Sequence, residues 1–334
     1  MEEFDLVYRD IKLRICCDSD VANIVRDYFY GHINLKKAEG VPTYSLIIAD
    51  DLKTKSGICY RKVDKWFSYA SLDFYINNDN RICYITNICA KNKKNRNLLI
   101  GTSIANLFNR LLELKGYLGV HSACVEKDNN GILFVAERNS GKTVCMLNLM
   151  NSGYNIVAND MVALKKNDDI LIGYGIAQSA SIRLSPSFCE QKENEKYVAL
   201  AHEKGIIIKN AEMLDGNSLH IKDSELAKLN NVSQTIETPI KFIVRPCYDP
   251  TIDHLIMYKM QIEQTRELIY SQYKSLVHET SDFLTNLKLD GIDEAERYKH
   301  FEDIISTPAY YCRQNERTTE EFVKKIELIK KYHN

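Results

Sequence analysis

Gly131-Ile132-Leu133-Phe134-Val135 runs directly into Ala136-Glu137-Arg138-Asn139-Ser140-Gly141-Lys142-Thr143, and that in turn into Val144-Cys145-Met146-Leu147-Asn148-Leu149. An apolar run, a short loop and a helical stretch in this order predict a strand that feeds a phosphate-binding loop at the start of a helix. The first backbone N–H groups of such a helix have no intrahelical acceptor and lie at the positive end of its dipole, so they can cradle phosphate oxygens. Lys142 is then placed to reach the β- and γ-phosphates, and the Thr143 hydroxyl to hold Mg²⁺. Ala136 stands where the pattern G-x-x-x-x-G-K-[ST] has its first glycine. It keeps the small size needed there and gives up easy access to positive φ. The competing reading is a chance Gly-Lys-Thr ahead of a helix.

The chain has 334 residues, enough for two domains or one large one with a substantial core. A formal net charge of −1 supplies no global field that would draw the protein to nucleic acid or an anionic membrane. Ten cysteines without C-x-x-C pairs, behind the acidic start Met1-Glu2-Glu3-Phe4-Asp5, argue against a disulfide framework and a signal peptide, and the cytoplasm is the expected compartment. No apolar stretch approaches the length of a membrane span.

Outward from the loop, the pattern predicts a mixed α/β chain. Leu6–Tyr8, Ile11–Ile15, Tyr44–Ile48, Leu72–Ile76 and Ile82–Ile85 read as strands, the last two joined by a turn at Asn77–Arg81. Asp20 is placed to cap a helix carrying Val21, Ile24, Val25, Tyr28 and Phe29. The lysine-rich run Lys91–Arg96 reads as a solvated loop or as a basic surface for an acidic partner. A helix from about Leu98 to Lys115, with a wide apolar stripe, is stopped by Gly116 and stands between two domains, 1–117 and 118–334. In the second domain, His121–Val125 is a strand, Asp128–Gly131 a turn, Gly153 the end of the loop helix, and Asn155–Ala158 a strand that delivers Asn159-Asp160 at its C-terminal end. Open α/β sheets place ligands at that edge. Further strands are expected at Met161–Leu164, Ile170–Ile172, Ile206–Ile208 and Ile240–Val244, and helices at Ile262–Leu289 and Thr319–Tyr332, the latter opened by a capping box of Thr318 and Glu321.

Three pieces therefore stand in one order: His121 on a strand leading to the loop, the loop, and Asn159-Asp160 at the next strand end. With Val120–Val125, Phe134–Thr143 and Gly153–Leu164, this arrangement resembles the HPr kinase/phosphorylase family and its HPr-serine-kinase-like relatives, including kinases of ribosomally made peptides. Weaker likeness extends through Gly173-Tyr174-Gly175 to Arg183-Leu184 and to Thr307–Tyr311. The resemblance implies a fold like that of HPr kinase and phosphoenolpyruvate carboxykinase, a mixed sheet with a phosphate loop, preceded by a smaller N-terminal α/β domain. It implies ATP or GTP with Mg²⁺, a hydroxyl acceptor on a peptide or small protein, and an assembly of like chains.

By the same resemblance Ala136, Arg138, Asn139, Ser140, Gly141, Lys142 and Thr143 would bind the nucleotide, and Thr143 and Asp160 would serve the metal. His121 would stand beside the transferring phosphoryl group. The family has Asp-Asp where this chain has Asn159-Asp160. An amide cannot accept a proton at neutral pH, though it can hold a hydroxyl or a metal-bound water; Asp160 must then be base, metal-water ligand, or both. Taken singly, His121 also fits a core histidine and Asp160 a turn residue. Arg138 and Arg183 are candidates for neutralising phosphate charge or for exposed salt bridges, with Arg245 behind them. Glu137 repels phosphates unless it points outward or pairs with Arg138, and Cys124 and Cys145 read as small core residues. The readings left open are a Mg²⁺-assisted peptide or protein kinase, a nucleotide-binding regulatory module, and a small-molecule kinase.

Overall fold

A computed structural model of the chain describes residues 1–8, 11–29, 41–49, 61–64, 73–86, 96–176, 179–206, 218–273, 301–302 and 304–333. They fall into two compact units, Met1–Leu118 and Gly119–Tyr273 with Tyr298–Asn334. The mixed α/β class expected from the pattern is what the chain adopts.

The first unit is a six-stranded sheet of β1 (Glu2–Tyr8), β2 (Ile11–Cys17), β3 (Tyr44–Ile48), β4 (Arg61–Asp64), β5 (Asp73–Asn77) and β6 (Ile82–Thr86) in the order β1-β2-β3-β6-β5-β4. Its centre is parallel, β2 with β3 and β3 with β6, and its flanks are antiparallel. Alternation in β3 sends Tyr44, Leu46 and Ile48 inward, as a period of two requires. Helices α1 (Ser19–Tyr28) and α2 (Arg96–Leu114) belong to this unit, with Gly101 of α2 lying against the ring of Tyr28 and Phe108 edge-on to Tyr8 at 5.7 Å. The apolar stripe of α2 from Ile100 to Leu112 is buried. Gly116 ends that helix with φ +82, its N–H bonded to Glu113 O and that of Tyr117 to Leu112 O, a Schellman closure.

The second unit is built on a mixed sheet of β7 (Leu118–Lys127), β8 (Asn130–Val135), β9 (Asn155–Ala158), β10 (Met161–Asn167), β11 (Ile170–Gly175), β14 (Glu237–Tyr248), β15 (Ile256–Lys259) and β16 (Ala309–Gln314); β12 (Ser179–Arg183) and β13 (Ser218–Lys222) form a separate pair. The main path runs β11-β10-β7-β8-β14-β16-β15, with β9 on β7, and β11 returns to pair with the start of β14. β7 and β8 form a hairpin whose two-residue turn, Asp128-Asn129, has positive φ at both positions, the backbone twist that such hairpins favour. β8, β14 and β16 are mutually parallel, and β9 runs in their direction because both it and β8 are antiparallel to β7. Four strand ends therefore share one edge. On one face, Phe134, Val244 and Cys312 pack with Cys145, Met146 and Leu149 of α3 (Lys142–Asn151) and with Phe322 and Ile326 of the helix Thr319–Tyr332. Each Val, Leu, Ile, Phe or Met side chain so removed from water contributes about 1.5–3 kcal/mol. Other helices of the unit include α4 (Pro186–Cys189), α5 (Glu195–Glu203), α6 (Asp223–Leu229) and α7 (Ile262–Gln272).

Several local expectations are corrected. Asp20 does not cap α1: the helix starts at Ser19 after Asp18, and Asp20 lies in its first turn. The capping box of Thr318 and Glu321 does not form either, because a 3-10 turn over Glu316–Thr318 comes first. The Thr318 hydroxyl accepts the Asn315 N–H at 3.0 Å, and Glu321 accepts the N–H of Leu255. The helix expected to reach Leu289 ends at Gln272, where Tyr273 turns extended and bridges to Val120; positions 274–289 lie outside the described residues. So do 207–208 of the strand expected at Ile206–Ile208 and 91–95 of the lysine-rich run, whose last member, Arg96, opens α2. No helix among the described residues is long and apolar enough to cross a membrane.

Candidate functional site

The loop after β8 turns through two left-handed residues, Asn139 (φ +71) and Gly141 (φ +94), and delivers Gly141 as the N-cap of α3 without a side-chain cap. Asparagine and glycine are the residues that tolerate this conformation most readily. Ser140 folds back on the loop, its hydroxyl donating to Glu137 O at 2.8 Å. The first helical bond runs from Cys145 N–H to Gly141 O, leaving the N–H groups of Lys142, Thr143 and Val144 without an acceptor among the described residues. Ala136 is buried and ordered without positive φ, which answers how the loop manages without its first glycine.

Lys142 closes the loop over itself, donating to Ala136 O at 2.6 Å and Glu137 O at 2.9 Å. Burial pushes its ammonium down to about 8, against the raising pull of Asp160 and Glu137. Glu137 and Arg138 are both exposed and form no ion pair with each other among the described residues, so Glu137 is kept from the cradle by pointing outward.

The end of β9 meets this loop. Asn159 is buried and its Oδ1 accepts the Thr143 hydroxyl at 3.3 Å. Asp160 has φ +84, an uncommon conformation for a residue with a side chain, and its carbonyl is clamped by the Ser122 N–H at 3.0 Å. Its Oδ1 lies 3.2 Å from Nδ1 of His121 on β7. The carboxylate is 48% exposed and the imidazole 23%, so a solute can reach the first while the second is sheltered behind it. Lys142, Thr143, Asn159, Asp160 and His121 thus meet at one edge of one sheet. Strain of this kind at a charged, accessible residue fits a site whose geometry is fixed for a task.

Among the described residues, no three His, Cys, Asp or Glu side chains come together as a ready-made metal site. Thr143 Oγ1, Asn159 Oδ1 and the Asp160 carboxylate nonetheless form a set of hard oxygen donors, the chemistry that suits Mg²⁺ when phosphate oxygens and water complete its shell.

Arg183 is not brought to the loop by any hydrogen bond or ion pair; it ends β12, on the separate two-stranded sheet. Tyr248, whose hydroxyl donates to Glu316, borders Gly141. Arg245 lies on β14, in register with Tyr311. Arg138 reaches into solvent beside the loop. Cys124 and Cys145 are fully buried with thiols pushed far up by burial, as core residues should be.

Two features of this edge are absent from the sequence reading. Asp249, after β14, binds Arg313 of β16, and its carboxyl is held down at about 2 by the Thr251 hydroxyl and N–H and then by that guanidinium. Gln314, the last residue of β16, lies against Gly141. The rule that ligands gather at strand C-termini could have pointed to both, since each follows an apolar run ending in polar residues.

No family model and no curated protein matches this chain. Among solved structures it is similar to the Hpr(Ser) kinase/phosphatase from Coxiella burnetii, at 16% identity, over 42% of this chain and 72% of that one, with a TM-score of 0.24. A likeness of that size carries no weight for function, and the site stands on its own geometry.

Proposed function

We propose that the second unit binds ATP or GTP with Mg²⁺ and transfers the terminal phosphoryl group to a hydroxyl, with a serine or threonine of a peptide or small protein as acceptor. The observation that carries this reading is the meeting of a phosphate loop with a carboxylate and an imidazole at one sheet edge: Thr143 against Asn159 at 3.3 Å, and Asp160 against His121 at 3.2 Å. The free N–H groups of Lys142, Thr143 and Val144 take the phosphate oxygens, and the Lys142 ammonium moves from the two loop carbonyls onto them. Mg²⁺, when bound, supplies charge neutralisation at the phosphates. Thr143 Oγ1 and Asp160 would hold it, with Asn159 orienting the threonine hydroxyl.

In the transfer, the acceptor oxygen forms a bond to phosphorus as the bond to the leaving diphosphate breaks, and the acceptor proton passes to the Asp160 carboxylate. His121 donates from Nδ1 to the other side of that carboxylate and fixes its direction. A loose transition state asks more of positioning and charge neutralisation than of proton removal, so a lone carboxylate beside an amide suffices. The resemblance to the HPr-serine-kinase-like family agrees with this assignment. A regulatory module that binds nucleotide without turnover is favoured by one observation, the amide at Asn159 where a second carboxylate would be expected.

The test is Mg²⁺-dependent consumption of ATP and GTP by the purified protein, alone and with short peptides encoded beside its gene, with Lys142→Ala as control. Turnover that needs a peptide and disappears in the variant supports the kinase reading. Turnover with free amino acids or sugars instead moves the acceptor to a small molecule, and binding without turnover selects the regulatory module.

A further inference from the structure

Gln314 is fully buried, yet among the described residues neither its Oε1 nor its Nε2 has a hydrogen-bond partner. Its main chain does not need the amide for support. The Gln314 carbonyl accepts the Asp249 N–H at 3.0 Å, and the side chain of the next residue, Asn315, donates to the carbonyls of Asp249 and Ile252 and accepts the Arg317 N–H. Packing does not explain the amide either, since methionine or leucine would fill similar space without burying two polar atoms. What the amide faces is the phosphate loop. Its Nε2 lies 2.9 Å from the place a Cβ on Gly141 would occupy, so the absence of that Cβ lets the amide touch the N-cap of α3, a ten-residue helix with three unused N–H donors.

We infer that Gln314 is a positioning residue for the occupied state of the phosphate loop, an inference that rests on the nucleotide reading above. In this structure Lys142 donates to the carbonyls of Ala136 and Glu137, and the amide has no partner among the described residues. When phosphate draws Lys142 away, the loop backbone around Gly141 resettles onto the Gln314 amide, which then holds the N–H donors in their gripping geometry. The same side chain therefore works against the empty protein and for the loaded one. A residue kept for packing alone has no such opposite signs.

Gln314→Met removes the amide at nearly constant volume, and Gln314→Glu keeps the shape while adding negative charge beside the phosphates. The experiment measures the melting temperature of the full chain without ligand, and the affinity for ATP and GTP with Mg²⁺ by calorimetry. Gln314→Met is expected to melt at or above the wild-type temperature while binding nucleotide about tenfold more weakly, the size of one net hydrogen bond. Gln314→Glu is expected to bind more weakly still, with a loss that shrinks as salt is added. Wild-type affinity in Gln314→Met, or a loss of affinity that merely follows a lower melting temperature, overturns the inference while leaving nucleotide binding in place. A wild-type protein that binds neither nucleotide overturns the reading beneath it as well.

Discussion

Two strand-to-helix crossings stand at the same edge of the second sheet; neither helix is capped by the side chain of its own N-cap residue, but the one after β16 is preceded by a 3-10 turn, Glu316–Thr318, that side chains close. After β16, Asn315 and Thr318 satisfy the chain's own donors: the Asn315 side chain accepts the Arg317 N–H at 2.9 Å, and the Thr318 hydroxyl accepts the Asn315 N–H at 3.0 Å. After β8, Gly141 offers α3 no side chain, and three N–H groups stay open. Both helices rest on one core, where the rings of Phe134 and Phe322 lie 6.4 Å apart. Burial cannot account for the difference. A turn that closes itself adds stability; a helix start left open after a loop with left-handed residues at Asn139 and Gly141 keeps its donors available to another partner.

That contrast breaks most sharply at Asp160, next to the open crossing. Asp160→Asn should lower phosphoryl transfer by about 10²- to 10⁴-fold, the usual worth of a positioned base, while nucleotide affinity changes little. Radiolabel transfer to the acceptor beside calorimetric binding checks both halves, and near-normal transfer would remove this carboxylate from the mechanism. Lys142→Ala comes next, with an expected loss of about a hundredfold in nucleotide affinity from charged hydrogen bonds. The fold should stay intact, because among the described residues this lysine bonds only to two carbonyls of its own loop.

The closed crossing should behave in reverse. Asn315→Ala removes a buried cap and two further hydrogen bonds to the segment after β14, and should cost about 2–3 kcal/mol of stability in chemical denaturation. Its nucleotide affinity, measured well below the unfolding midpoint, should remain at the wild-type value. An Asn315→Ala protein that is stable but binds poorly would erase the distinction between the two crossings.

The smallest effect is one of pH. Burial pushes the Lys142 ammonium down to about 8, and a phosphate against it would raise that value by offering opposite charge. Binding above pH 8 must therefore take up a proton. Affinity should be constant below that pH and fall by up to about tenfold per unit above it, until the pKa of the bound state is reached. A Lys142→Arg protein that still binds should lose this dependence, and an unchanged slope would assign the proton elsewhere.

The open crossing is the more legible of the two in the sequence. Strand, loop and helix are continuous over residues 131–151, and both the glycine and the lysine have local physical reasons. Asn159-Asp160 is legible as well, since an apolar strand ending in polar residues near a phosphate loop falls under the edge rule. The closed crossing misleads because Thr318 followed three residues later by Glu321 looks like a cap, while the donors that compete for them, Asn315 and Leu255, are brought in by a 3-10 turn and by a segment more than sixty residues away. Gln314 is invisible for a related reason. Its meaning depends on Gly141, which reaches it only because β14 lies between β8 and β16.

That intervening strand sets a timetable for the molecule. Ile240 pairs with Gly131 and Ile243 with Ala309, so the edge that carries the loop is assembled from pieces far apart in the chain. Contacts of such long sequence separation form slowly, because much chain entropy is lost before they reward it. During synthesis the loop and α3 emerge early, while β16 arrives only near residue 314. A nascent chain halted before Ala309 would present the loop around Gly141 without the strand that braces it. Under the proposed function, nucleotide capture should then appear only once β16 has emerged, and a ribosome-bound series of increasing length would show it in one late step.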